Sequence, residues 1–161
     1  MTNKLNKKIL FSLLIFFSLI LIVAFIIEYK LGHAPCKLCL YQRIPYFLSI
    51  FLIFNILFFK KYEKITLLTL LIIFIGSLIL AFYHFGIEQG FFKESIACTT
   101  SETFNLYTKE QLLEQLKQSS ISCKNVSFKI LGFSLASINT IFSFILSVIF
   151  LRLFINYGKN K

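Results

Sequence analysis

A chain of 161 residues that is 57% hydrophobic, with 21 phenylalanines and no tryptophan, has more apolar side chains than one small water-soluble domain can hide. Its net charge of +10 could suit nucleic acid, but only 15% of the residues are charged and they cluster between long apolar runs. The composition therefore excludes a soluble basic domain, and the charge speaks for membrane topology and anionic lipid, with no nucleic acid needed to explain it.

The first apolar run covers residues 9–27 behind a basic start of Lys4, Lys7 and Lys8. A cleaved signal peptide also begins that way, but this run is too long for a signal's apolar core and no A-x-A-like site follows it. A first outer loop of about residues 28–43 carries Pro35 and Cys36-Lys37-Leu38-Cys39. The second run, 44–59, has 16 residues and reaches spanning length by extending back to about residue 41, with Pro45 shaping the chain around the cysteines or starting the helix. Lys60, Lys61 and Lys64 make a tight basic turn before a third run of 23 residues, 65–87. The second outer loop, about 88–129, is the one sizeable polar region. Within it Thr108-x-x-Gln111 reads as a capping box, and Leu112, Leu113 and Leu116 share a helical face. That pattern predicts a short amphipathic helix on the membrane surface, although an ordinary loop helix fits it as well. The last run, 130–151, has 22 residues. About 20 apolar residues cross the hydrocarbon as a helix. The expected fold is an all-α membrane protein, a four-transmembrane-helix bundle in one domain over residues 1–161, with helices at about 9–27, 41–59, 65–87 and 130–151.

Basic residues set the orientation. The two termini and the turn after the second helix hold nine Lys and Arg against the single acid Glu63, a balance of +8, whereas the two loops on the other side balance to +2. Both termini are therefore expected in the cytoplasm. Cys36, Cys39, Cys98 and Cys123 then all fall on the outer face, which in a bacterium is the periplasm, where disulfides form and persist.

Cys36 and Cys39 form a Cys-x-x-Cys, whose disulfide opens and closes readily, and a helix N-terminus with Lys37 and Arg43 nearby favours the thiolate that does such chemistry. Cys98 and Cys123, separated by 24 residues, could form a second disulfide or exchange with the first pair. Zinc competes for any Cys-x-x-Cys, but Cys98 and Cys123 are not a close pair and no histidine stands at ligand spacing, so no metal is expected. Purely structural disulfides bracing the outer loops remain an alternative.

Cys36-x-x-Cys39-x-Tyr41-Gln42-Arg43 after one apolar helix, Tyr83-His84-x-Gly86-x-Glu88 closing the third, a widely spaced cysteine pair and Phe128-x-Ile130-Leu131-Gly132 leading into the fourth resemble the DsbB family of quinone-linked disulfide bond formation proteins. The likeness runs in order along nearly the whole chain. It implies resting disulfides Cys36–Cys39 and Cys98–Cys123, and a relay through the bacterial inner membrane. A reduced periplasmic DsbA-like thiol oxidase attacks Cys98, the freed Cys123 attacks Cys36, and Cys39 is left as a thiolate facing a membrane quinone, ubiquinone or menaquinone. A DsbA-type disulfide sits near about −120 mV, so only a strong acceptor such as a lipid quinone regenerates it.

The resemblance assigns Arg43 to the quinone, and its place four residues after Cys39 puts it one turn along the same helix face. An interfacial arginine that snorkels is the other reading. His84 and Glu88, spaced i, i+4, can face one pocket and assist quinone binding or proton delivery, or simply end a helix in water. Tyr41, Tyr46 and Tyr83 are expected in the interfacial belt. Two other readings compete: a four-helix membrane scaffold with structural disulfides, and a vitamin K epoxide reductase-like protein, whose active Cys-x-x-Cys would lie towards the last helices rather than after the first.

Overall fold

A computed structural model of the chain describes residues 7–58, 62–93, 123, 129, 130 and 132–159. In chain order its elements are α1 (Lys7–Tyr29), α2 (Lys37–Tyr41), α3 (Ile44–Phe58), α4 (Glu63–Glu88), β1 (Lys129–Ile130), β2 (Phe133–Ser134) and α5 (Leu135–Lys159). Among the described residues four segments are long and apolar enough to cross a membrane, and α2 with α3 forms the second of them. The molecule is thus an all-α bundle of four spans. Cys98 and the amphipathic segment expected near residues 108–118 lie outside the described residues.

The distribution of side chains is the one lipid demands. Large apolar residues such as Phe51, Ile72, Ile79 and Phe144 point outward, while Ser49, Ser77, Ser143 and Ser147 are buried between helices. With lipid outside, exposing Phe and Ile costs nothing, and small hydroxyl residues let helix backbones approach. Ser77 Oγ and Ser143 Oγ meet at 3.0 Å across α4 and α5, the most extensive helix pair. Their surplus hydrogens turn inward as well: Ser49 and Ser147 each donate to the carbonyl one turn back, at 2.7 and 2.8 Å. Phe74 of α4 ties the bundle together, since its ring meets Phe17 of α1, Tyr46 of α3 and Phe150 of α5 at centroid distances of 5.4, 6.0 and 5.3 Å. These offset and edge-on contacts supply the packing that the hydrophobic effect does not provide inside a bilayer.

Three expectations need correction. The second span is not one helix from residue 41. Pro45 has no N–H to give the Tyr41 carbonyl, and its ring disfavours a helical residue before it, so the ladder breaks after α2. The chain passes the break in a tighter turn, Arg43 N–H donating to the Leu40 carbonyl at 3.1 Å, and α3 restarts with Tyr46 N–H on the Arg43 carbonyl at 3.1 Å. The fourth helix begins at Leu135, five residues after the expected start. Gly132, at φ 87°, turns the chain between β1 and β2, and the Ser134 hydroxyl then accepts the Ser137 N–H at 3.1 Å as the cap of α5. Tyr46 is not an interfacial residue: it is 3% exposed and its hydroxyl donates to Asn139 Oδ1 at 2.5 Å. Tyr41, half exposed, fits the belt.

Candidate active site at one end of the bundle

The site is built where α2 meets the last turn of α4. Cys36 is the residue before α2, with extended backbone, and its Sγ accepts the N–H of Cys39 at 3.3 Å. One turn of helix therefore folds Cys39 back over Cys36, and the two sulfurs lie 2.8 Å apart. Both are free thiols. The two sulfurs face one another without a bond between them.

From the other side α4 brings His84, which is 2% exposed. Its Nε2 lies 3.6 Å from Cys36 Sγ, and the Gln42 amide nitrogen lies 3.0 Å from Nδ1. With the amide donating to Nδ1, the ring proton sits on Nε2 and points at the sulfur. The Cys36 thiol is accordingly held well below its ordinary range, first by the hydrogen bond from Cys39 and then by His84, against the cost of burial. Glu88, one turn on, places Oε1 3.7 Å from His84 Nε2, so the i, i+4 pair shares the pocket. The end of α4 is held by its turn into the loop: Phe91 N–H donates to the Gly86 carbonyl at 2.8 Å, and the Phe92 ring stacks on Tyr83 across the space a side chain at residue 86 would take.

Arg43 sits beside this centre on a different neighbour. Because the helix breaks at residues 42 and 43, it does not continue the Cys39 face; its Nη1 donates to Glu28 Oε2 at 2.5 Å and its guanidinium lies 5.2 Å from the Phe25 ring centroid, both on α1. The ion pair is only partly exposed, with side chains 15% and 20% accessible. A guanidinium has five donors, so an ion pair through one nitrogen leaves others for a ligand.

The loop cysteine arrives at the same place. Cys123 is disulfide-bonded and 2% exposed, and it packs in one buried cluster with Cys36, Leu38 and Ile87, against which Cys39, Leu80 and Tyr83 also lie. Of the site residues named from the sequence, Cys36, Cys39, His84, Glu88 and Cys123 are thus gathered at one end of the bundle. Arg43 stands at its edge and Cys98 lies outside the described residues. Gln42 and Glu28 were missed. Gln42 belongs to the Cys-x-x-Cys-x-Tyr-Gln-Arg string itself, and Glu28 is the first acid after the opening apolar run, so both signals were present.

A family model described as "Disulfide bond formation protein DsbB" matches residues 6–153. The chain belongs to the DsbB family. Membership makes it a multi-pass membrane protein of disulfide bond formation. Among curated proteins it is similar to an uncharacterized protein, RP370, of Rickettsia prowazekii (strain Madrid E), with 34% identity over 157 residues, covering 96% of this chain and 91% of that one. No solved structure matches it.

Proposed function

We propose that the chain is a quinone-linked dithiol oxidoreductase of the bacterial inner membrane, with both termini cytoplasmic, that reoxidises a periplasmic DsbA-like thiol oxidase. The observation that supports this reading is that Cys123, itself disulfide-bonded, shares one buried cluster with Cys36, the sulfur with which it would exchange. Structural disulfides bracing a scaffold have no need of that proximity, nor of a histidine aimed at a free thiol.

In the proposed relay a thiolate of the reduced partner attacks Cys98 of a Cys98–Cys123 disulfide, releasing Cys123 as a thiolate. The partner's second thiolate then takes the sulfur bond from Cys98 and leaves oxidised. Cys123 attacks Cys36 of the Cys36–Cys39 disulfide, freeing Cys39, and Cys98 returns to Cys123 to release Cys36. Two electrons now reside on Cys36 and Cys39 as a dithiol, with the Cys98–Cys123 disulfide re-formed. A membrane quinone supplies the two-electron acceptor that restores the disulfide. Around the pair, Arg43 has donors to spare for a carbonyl oxygen, and Leu40, Tyr41 and Ile44, 44–50% exposed, give an apolar approach from the lipid. His84 Nε2, between Cys36 Sγ and Glu88 Oε1, is placed to hold and pass on a thiol proton.

The proximity has a direct test. In the Cys39→Ser, Cys98→Ser double variant, Cys36 and Cys123 are the remaining cysteines, and diamide is expected to join them within one chain, read by peptide mapping under non-reducing conditions. Only intermolecular disulfides, or none, would remove the observation on which the relay rests.

A further inference from the structure

The histidine absent from the local sequence pattern is present in space, and it changes what the reduced centre can bind. The sulfurs of Cys36 and Cys39 and a ring nitrogen of His84 all lie within 4.8 Å of one another, with Cys36 and His84 buried. The geometry points to a Zn²⁺ site formed by Cys36, Cys39 and His84 in the dithiol state and absent from the disulfide state. Tetrahedral Zn²⁺ with S at about 2.3 Å and N at about 2.0–2.1 Å requires S···N separations of roughly 3.6 Å and S···S separations of roughly 3.8 Å. Cys36 Sγ and His84 Nε2 already stand 3.6 Å apart, whereas the two sulfurs, at 2.8 Å, must open by about 1 Å.

The partner of the ring's other nitrogen favours the same use. Gln42, 7% exposed, is bonded to Nδ1, the outer contact that orients a metal-binding imidazole. When Nε2 gives its lone pair to the metal, the ring proton moves to Nδ1 and the Gln42 amide turns its oxygen to accept it. Glu88 Oε1, 3.7 Å from Nε2, is an oxygen donor close to the three ligand atoms. No electrons move: Zn²⁺ replaces the remaining thiol protons, which pass to solvent, and both sulfurs stay reduced. Resting on the proposed relay, the consequence is that Zn²⁺ arrests the cycle in its two-electron state, because sulfurs committed to the metal cannot form the disulfide.

Binding is tested apart from turnover on the full chain in detergent, in a Cys98→Ser, Cys123→Ser background that leaves only the Cys36–Cys39 pair. Equilibrium dialysis against buffered Zn²⁺ is expected to give one ion per chain in the dithiol form and none in the disulfide form. His84→Ala is expected to weaken binding by more than the roughly 10- to 100-fold that loss of an outer partner such as Gln42 produces. His84→Cys, which supplies a third sulfur, is expected to restore it, and Co²⁺ in place of Zn²⁺ should show sulfur-to-metal absorption only in the dithiol form. Equal binding by dithiol and disulfide forms, or an affinity unchanged by His84→Ala, would overturn the site. Partner oxidation is followed separately on the chain with all four cysteines, where Zn²⁺ is expected to stop it; retained Zn²⁺ binding with no effect of Zn²⁺ on that rate would count against the relay and leave the metal site standing.

Discussion

A Cys123→Ser variant is expected to accumulate a covalent complex when mixed with the oxidised, disulfide form of the thiol oxidase, while Cys98→Ser forms none. The partner's thiolate attacks Cys98 in the proposed order, so removing Cys98 removes the sulfur it bonds to. Removing Cys123 leaves Cys98 as a free thiol whose thiolate attacks the oxidised partner's disulfide, forming one bond to it as the partner's second sulfur leaves as a thiolate, and Cys123 is no longer there to displace the partner from Cys98. Turnover should be lost in both variants, by orders of magnitude, yet the species that remain differ. Non-reducing electrophoresis of each variant with the oxidase reads the difference directly. Equal trapping by the two would mean that the partner does not distinguish the loop sulfurs. The burial of Cys123 in the cluster that holds Cys36 gives this order its physical reason: a sulfur buried at 2% accessibility is poorly placed for a soluble protein and better placed for an internal exchange.

Replacing Arg43 is expected to raise the quinone concentration needed for turnover while leaving thiol exchange with the partner intact. A charge-assisted hydrogen bond is worth about 1.5–3 kcal/mol, or roughly one to two orders of magnitude in affinity. Arg43→Ala should show that full loss. Arg43→Lys should recover part of it, because a point charge can pair with Glu28 or reach a ligand but does not reproduce a fork that does both. The Glu28 ion pair makes the comparison sharper. Exposed pairs contribute about 0–1 kcal/mol, and this one is partly exposed, so its loss alone does not account for a shift of two orders of magnitude. Superimposable rate curves for wild type, Arg43→Lys and Arg43→Ala would make Arg43 an anchor for α1 and move the quinone contacts to His84 and Glu88.

What could be read from the chain, and what could not, follows from the range of each interaction. Spans show as run lengths, so the four membrane crossings were legible from hydrophobicity alone. The i, i+4 spacing of His84 and Glu88 likewise placed both in one pocket. The break before α3 was a local signal read too weakly: Pro45 was taken as a possible helix start, but its missing N–H also ends the helix in front of it. That break is what turns Arg43 towards Glu28 and away from the Cys39 face. By contrast, no periodicity reports that His84 meets Cys36 across 48 residues, or that Cys123 folds back onto the same cluster. Such contacts depend on how α4 packs beside α2, and the same is true of Tyr46, whose buried bond to Asn139 spans 93 residues. Zinc was set aside because no histidine was near in sequence, and it returns because one is near in space.

The central claim is that electrons leave the chain to a quinone. The measurement is the rate at which purified protein in detergent oxidises a reduced DsbA-like partner, with and without added ubiquinone or menaquinone, followed together with quinone reduction by absorbance. The account predicts that oxidation stops after the chain's own disulfides are consumed unless quinone is present, and that one quinone is then reduced per partner disulfide formed. Sustained oxidation at the same rate without quinone would contradict it.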